Sequence, residues 1–271
     1  MRYSTQKEHG KQIRLHDAEH FEHMRIAGRI AADTLDYIAP HVQAGVSTAE
    51  LDRLCEEFMR AAGSIPATID YHGYKHASCI SVNHVVTHGV PSATKILKTG
   101  DIVNVDVTPK IEGNWHGDTS RTFKVGEVSI LAGRLVDVAY RSMMAGVALV
   151  KPGNTLGDIG AEIDGIIRAA GFSSVRDFCG HGVGQIFHDT PQVTHQGTRG
   201  AGIVLEPGMF FTIEPMVNAG GYQVKVLGDK WTTVTKDHSL SAQFEHTVAV
   251  TENGVEIFTL SAREREERQI A

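Results

Sequence analysis

Two stretches of this chain carry the same helix start and stop signals at the same spacing, and that repetition limits the fold more than any single motif does. Gly45–Gly63 (GVSTAELDRLCEEFMRAAG) and Gly153–Gly171 (GNTLGDIGAEIDGIIRAAG) are equal in length, lie 108 residues apart and both end Arg-Ala-Ala-Gly. In each, a hydroxyl residue precedes the helix and an acid follows three positions later, Ser47 with Glu50 and Thr155 with Asp158. The hydroxyl can satisfy an orphan amide while the acid faces the positive helix end. Gly63 and Gly171 are the matching stops. Leu51, Leu54, Cys55, Phe58 and Met59 form an apolar stripe in the first helix, as do Ile159, Ile163, Ile166 and Ile167 in the second, which assigns Cys55 to core packing. The offset persists into LKTGDIVNVDV and LEPGMFFTIEP, superimposing Gly100 on Gly208 and Asp106 on Glu214. Each half then returns with another acid, at Asp118-Thr119 and Glu245-His246-Thr247. An echo at an offset of 100 matches Cys79, His88 and Pro91 to Cys179, His188 and Pro191.

A duplicated unit closing about a pseudo-twofold axis brings equivalent positions face to face. The expectation is an α+β fold in one domain spanning 1–271, with halves of roughly 18–125 and 126–260 around a central antiparallel sheet. In IVNVDV the valines Val103, Val105 and Val107 point one way while Asn104 and Asp106 point the other. The turn Glu112-Gly113-Asn114 reverses the chain into WHGDTSRTF, so Asp106 and Asp118 are expected to approach across an antiparallel pair. No linker or low-complexity segment separates independent domains.

An acid facing the core of a sheet must be paired, protonated or bound to metal, because an isolated buried charge is too costly. No basic residue alternates with these acids. Asp106, Asp118, Glu214 and Glu245 supply oxygen, and His181, in Cys-Gly-His-Gly-Val-Gly, supplies nitrogen between glycines that let backbone crowd close. Four carboxylates and one imidazole suit two divalent cations, about 3.5–4 Å apart if two acids bridge, sharing a water of lowered pKa. On spacing alone, exposed strand acids or ordinary ion-pair partners remain the alternative. His88 and His188 are left over once ligands are counted and, as matched positions, could flank the site as proton donors to substrate. Gly-His-Gly-Val-Gly lacks the following Gly-Lys-Ser/Thr of a phosphate-binding loop, and there is no Gly-x-Ser-x-Gly for a serine nucleophile.

A net charge of -6, with 21% charged and 41% apolar residues, argues against wholesale nucleic-acid or membrane binding. The first residues lack the apolar core of a signal peptide and no run reaches the length of a membrane span, so a cytoplasmic location is expected. Three cysteines without Cys-x-x-Cys fit a reducing compartment rather than a thiolate zinc site. His16, His20 and His23 fall in a stretch whose periodic residues are Phe21, Met24, Ala27, Ile30 and Leu35, which reads as an amphipathic helix with surface histidines. The C-terminal REREERQ run reads as a solvated tail or a last helical turn.

THGVP, NVDVT, WHGDTS, CGHGVG, TIEP and SLSAQFEHTV, in this order, resemble type I methionine aminopeptidases along the whole chain. The resemblance implies the pita-bread fold, two pseudo-symmetric halves around a dinuclear site, and removal of the initiator methionine from new polypeptides with a small second residue. It implies Asp106, Asp118, His181, Glu214 and Glu245 as ligands, with Asp118 and Glu245 bridging. His88 and His188 match substrate-contacting histidines, and Glu214 is a candidate proton carrier. The methionine pocket maps onto Tyr71, Tyr74, Cys79, Phe187 and Trp231, with Thr68 where relatives often carry cysteine. Aromatic rings and a soft thiol suit a thioether. Asp106 and Asp118 stand one residue further apart than in the commonest family pattern, and the extra residue is expected in the 110–114 turn.

Oxygen and imidazole donors accept cobalt, manganese, iron, nickel or zinc. Expected partners are the N-termini of nascent polypeptides. No zinc-finger-like extension precedes the catalytic region, so a transient ribosome association would need another surface. A monomer is expected, with no sequence-specific nucleic-acid contact. The alternatives are a proline-specific aminopeptidase or dipeptidase of the same fold, a non-catalytic peptide-binding member that would have lost ligands, and a histidine-rich metal buffer without turnover.

Overall fold

The two repeated stretches form helices α2 (Thr48–Ala61) and α4 (Leu156–Ala169), capped as the sequence predicts. Ser47 Oγ accepts from Glu50 N, and Thr155 Oγ1 accepts from Asp158 N while the Asp158 carboxylate accepts from Thr155 N. Gly63 and Gly171 both stop their helices at a φ of 79°. This is a computed structural model; it describes residues 2–270, and Met1 and Ala271, the ends of the expected 1–271 span, lie outside the described residues. The helices α1 (Ala18–Ile38), α3 (Ile130–Ala148) and α5 (Ala262–Ile270) are the other α-helices among the described residues.

Equivalent backbone bonds tie each repeated helix to its own half. Gly45 N donates to Leu97 O at 2.8 Å, and Gly153 N to Leu205 O at 3.1 Å, at the same 108-residue offset. Leu51, Cys55 and Met59 of α2 bury against Val103, Val105 and Val107 in one core cluster. Ile159, Ile163 and Ile167 of α4 pack with α3 residues, Phe211 and Val248 in another. The paired strands repeat as well. Ile102–Val107 runs antiparallel between Ser78–Val82 and Thr119–Lys124, and Phe210–Ile213 runs antiparallel between Gly180–Gly182 and His246–Val250. The two sheets meet where Glu245 N donates to Ser120 O. Thr119 Oγ1 donates to Glu245 O and Thr247 Oγ1 to Asp118 O, each at 2.7 Å, so the backbone at each of these acids is held by the other half.

Two expectations need correction. His16 precedes α1 and is buried, stacked on Phe210 at 4.1 Å between ring centroids, and His23 stacks on Trp115 at 5.3 Å. These imidazoles serve as aromatic surface under α1 rather than as surface histidines, which apolar periodicity cannot reveal. The C-terminal charge run is a helix anchored by an inward acid: Glu264 Oε1 accepts from Tyr140 Oη at 2.8 Å, and Oε2 accepts from Ser261 N and Oγ.

Candidate metal centre

The two half-sheets deliver their acids into one cleft. Val107 pairs with Thr119 and Asp106 with Ser120, which sets Asp106 beside Asp118 across neighbouring strands. The intervening excursion closes at Glu112–Asn114, where Gly113 and Asn114 take φ of 79° and 63°. In the second half Ile213 pairs with His246, so Glu214 and Glu245 follow one step further along the same ladder. Ligand atoms of Asp118, His181 and Glu245 lie within 4.8 Å of one another. His181 Nε2 stands 3.5 Å from Asp118 Oδ2 and 3.6 Å from Glu214 Oε1.

Neutral groups hold these donors. Thr108 Oγ1 donates to Asp118 Oδ1 at 2.8 Å, Thr212 Oγ1 to Glu214 Oε1 at 2.9 Å, and Gln243 Nε2 to Glu214 Oε2 at 3.1 Å. His181 Nδ1 is 3.1 Å from Gly182 O; donation there leaves Nε2 as the lone-pair nitrogen facing the acids. Among the described residues, no lysine or arginine pairs with any of the four carboxylates. Burial, followed by mutual repulsion, pushes Asp106, Glu214 and Glu245 well above the usual carboxylate range, and burial pushes Asp118 up to about 7. Burial likewise holds the His181 imidazole down at about 4. Clustered acids without a cation beside a neutral imidazole form the donor set that a divalent ion satisfies, so the residues fit such an ion.

Gly182 is where this packing tolerates least. A Cβ there would meet the backbone oxygen of Thr190 at 2.1 Å. Gly182→Ala is expected to destabilise by about 1–3 kcal/mol and to displace His181; unchanged thermal stability and metal affinity would contradict this.

The remaining candidates line the same cleft, of about 570 Å³, so it gathers every site residue expected from the sequence, with Thr68 among them. Cys79 is the register partner of Asp106. Tyr74 packs edge-on to Trp231 at 4.9 Å, and Tyr71 against Phe187 at 4.9 Å. His188 Nδ1 lies 2.8 Å from Tyr71 Oη and its ring 4.3 Å from that of His181. His88 adopts a φ of 52° and faces Phe178 and Trp231. Burial lowers His88 to about 4 and His188 to about 3, so both are neutral imidazoles at pH 7. Reading the sequence assigned no role to Thr108, Thr212 or Gln243, although each stands two residues from an acid and therefore on its strand face. It also assigned none to Cys179 or to the N-terminal Glu8, His9 and Lys11, which border the cleft.

The metallopeptidase family M24 model matches residues 22–252. The methionine aminopeptidase of Salmonella typhimurium is 51% identical over 249 residues, covering 92% of this chain and 94% of the relative. The chain belongs to the methionine aminopeptidases. The crystal structure of the Rickettsia prowazekii methionine aminopeptidase superimposes with a TM-score of 0.90 at 49% identity, covering 92% of this chain and all of that one. The family is thus shown along with its pita-bread fold and its use of divalent metal. Prolidase from Pyrococcus furiosus, at 24% identity and a TM-score of 0.75, shares the fold, and this chain covers 66% of it.

Proposed function

We propose that the chain removes the N-terminal methionine of newly made polypeptides, with Asp106, Asp118, His181, Glu214 and Glu245 holding two divalent cations. The observation that carries the reading is the cluster of four acids, Asp118 and Glu245 buried and Asp106 and Glu214 partly so, with no lysine or arginine partner among the described residues, in one cleft with an aromatic pocket. Bound there, divalent ions supply carbonyl polarisation and a water acidic enough to attack near neutral pH. Everything else falls to the chain. Tyr71, Tyr74, Cys79, Phe187 and Trp231 take the methionine side chain through dispersion and sulfur–aromatic contact. In this reading the Tyr71 hydroxyl, 2.8 Å from His188 Nδ1, donates to that nitrogen and leaves the Nε2 proton of His188 to donate to the developing oxyanion. His88 hydrogen-bonds near the scissile amide nitrogen, and Glu214 moves a proton to the leaving amine.

The donor set is compatible with manganese, iron, cobalt, nickel or zinc. A cytoplasmic monomer meeting nascent chains, with transient ribosome contact, accompanies this reading. Among the described residues no helix is long and apolar enough to cross a membrane. Nothing favours the proline-specific alternative, for which the prolidase likeness supports the fold alone.

Methionine release from Met-Ala-Ser, with Met-Trp-Ser and proline-containing controls, after chelation and addition of each metal, tests the reading. Chelation should abolish release, and Met-Ala-Ser should be cleaved faster than Met-Trp-Ser. Norleucine in place of methionine should be partly accepted, because small changes in an apolar pocket shift discrimination by about 1–3 kcal/mol. Equal rates on Met-Ala-Ser and Met-Trp-Ser would remove the small-residue preference, and faster release of proline would favour the alternative.

A further inference from the structure

The N-terminal hairpin (Arg2–Glu8 and Lys11–Leu15) supplies no candidate metal ligand and precedes the 22–252 stretch that the family model matches. Yet its tip borders the cleft: Glu8, His9 and Lys11 stand there with Asp177, Cys179 and Gln192. Its two-residue turn is tight. His9 and Gly10 both take positive φ, 48° and 79°, as a type I′ link requires, and set Glu8 opposite Lys11. The hairpin is fastened to the body at several points. Glu8 Oε2 accepts from Gln192 N at 2.8 Å, Arg14 Nε lies 3.0 Å from Asp189 Oδ2, and Gln6 Nε2 donates to Val204 O at 2.8 Å. Ile13 and Leu15 are buried in the core of the second half. The tip is therefore a fixed wall rather than a frayed terminus.

The position of that wall points to what it touches. Asp189 and Gln192 belong to the strand that directly follows His188. Glu8, Cys179 and Glu214 line the same cleft. A polypeptide whose first side chain enters between Tyr74, Cys79 and Trp231, with its scissile bond beside His88 and His188, must lead its remaining residues out past other lining groups. The 177–179 loop and the hairpin tip are among them. Of the hairpin's own charges at the tip, Glu8 accepts from the Gln192 amide, whereas Lys11 is exposed and in no ion pair among the described residues; Asp177, on the 177–179 loop, is exposed as well.

Resting on the aminopeptidase reading, we propose that the hairpin tip is a subsite for the third and following residues of the polypeptide, in which Lys11 favours acidic side chains. The test compares kcat/KM of the metal-loaded full chain on Met-Ala-Glu-Glu-Ser, Met-Ala-Lys-Lys-Ser and the dipeptide Met-Ala. Wild type should prefer the acidic peptide. Lys11→Glu should shift the acidic-to-basic ratio by about threefold to tenfold, the range of an exposed charge contact and its reversal. The change should lie in KM, shrink in high salt, and leave Met-Ala cleavage unchanged. Lys11→Gln, which creates no like-charge pair with Glu8, should fall between. An unaltered ratio in both variants would overturn the subsite, and so would an equal loss on all three substrates, which marks a structural role. Failure of wild type to release methionine from any of the three substrates would instead remove the aminopeptidase reading beneath it.

Discussion

Asp118→Ala and Glu245→Ala are expected to lower turnover by more than about 10³-fold, beyond the loss of a single transition-state hydrogen-bond donor. In the proposed centre these two acids would be shared between the ions, as the family resemblance implies, so each substitution should loosen both, whereas loss of Asp106 should affect one. Metal content measured beside turnover checks this, with circular dichroism to establish folding. Wild-type turnover by either folded variant would remove these acids from the site. In metal-free protein the expected sign is opposite. Asp118→Asn keeps an oxygen for the Thr108 hydroxyl while deleting a buried acid from a repelling cluster, and should stabilise the chelated protein at pH 8 by about 1–4 kcal/mol. Because each of the four acids has a folded-state pKa above its unfolded value, these groups bind more protons in the metal-free folded state over the interval between the two, opposite in sign to the buried imidazoles, whose lowered values favour the folded state as pH rises towards 6.5. The contribution of the acids to stability therefore falls as pH rises, for Asp118 from about 4 to about 7. Denaturant melts of wild type and Asp118→Asn at pH 5 and 7.5 in chelator isolate this contribution from that of the histidines; an advantage of the variant that does not grow between the two pH values would contradict the clustered-acid account.

Helix limits were legible because Ser47, Thr155, Gly63 and Gly171 act locally: a cap oxygen and a left-handed stop depend on few neighbours. The approach of Asp106 to Asp118 was legible for a similar reason, since strand alternation and one turn fix it. The meeting of those acids with Glu214 and Glu245 was readable only because the repeat supplied the long-range information that spacing within either half lacks. His16 and the hairpin had no such help. Apolar periodicity treats imidazole as polar, yet here its flat face packs on Phe210. The hairpin turn is His9-Gly10 rather than the Asn-Gly that announces a type I′ link, and its anchors Asp189, Gln192 and Glu206 lie nearly 200 residues away, in a strand and loop of the other half.

His88→Ala and His188→Ala are each expected to lower kcat by about 10²–10³-fold, the loss of one hydrogen bond made to the transition state, with metal stoichiometry unchanged. Both side chains sit in the cleft, yet neither pairs with a carboxylate of the cluster; His188 turns Nδ1 to Tyr71 and His88 faces Phe178 and Trp231. Their separation from the acids matters because a ligand and a substrate contact fail differently. Removing a ligand lowers metal affinity, whereas removing a transition-state donor leaves a loaded site that turns over slowly. Tyr71→Phe separates the two further. It removes the hydroxyl that directs the His188 tautomer but leaves the ring against Phe187, so kcat should fall by less than in His188→Ala while methionine still binds. Titrating each purified variant with manganese or cobalt while following turnover distinguishes the cases. Loss of a bound metal equivalent in His88→Ala or His188→Ala would move that histidine into the ligand set, and a kcat unchanged in both would leave the oxyanion without its proposed donor from the chain.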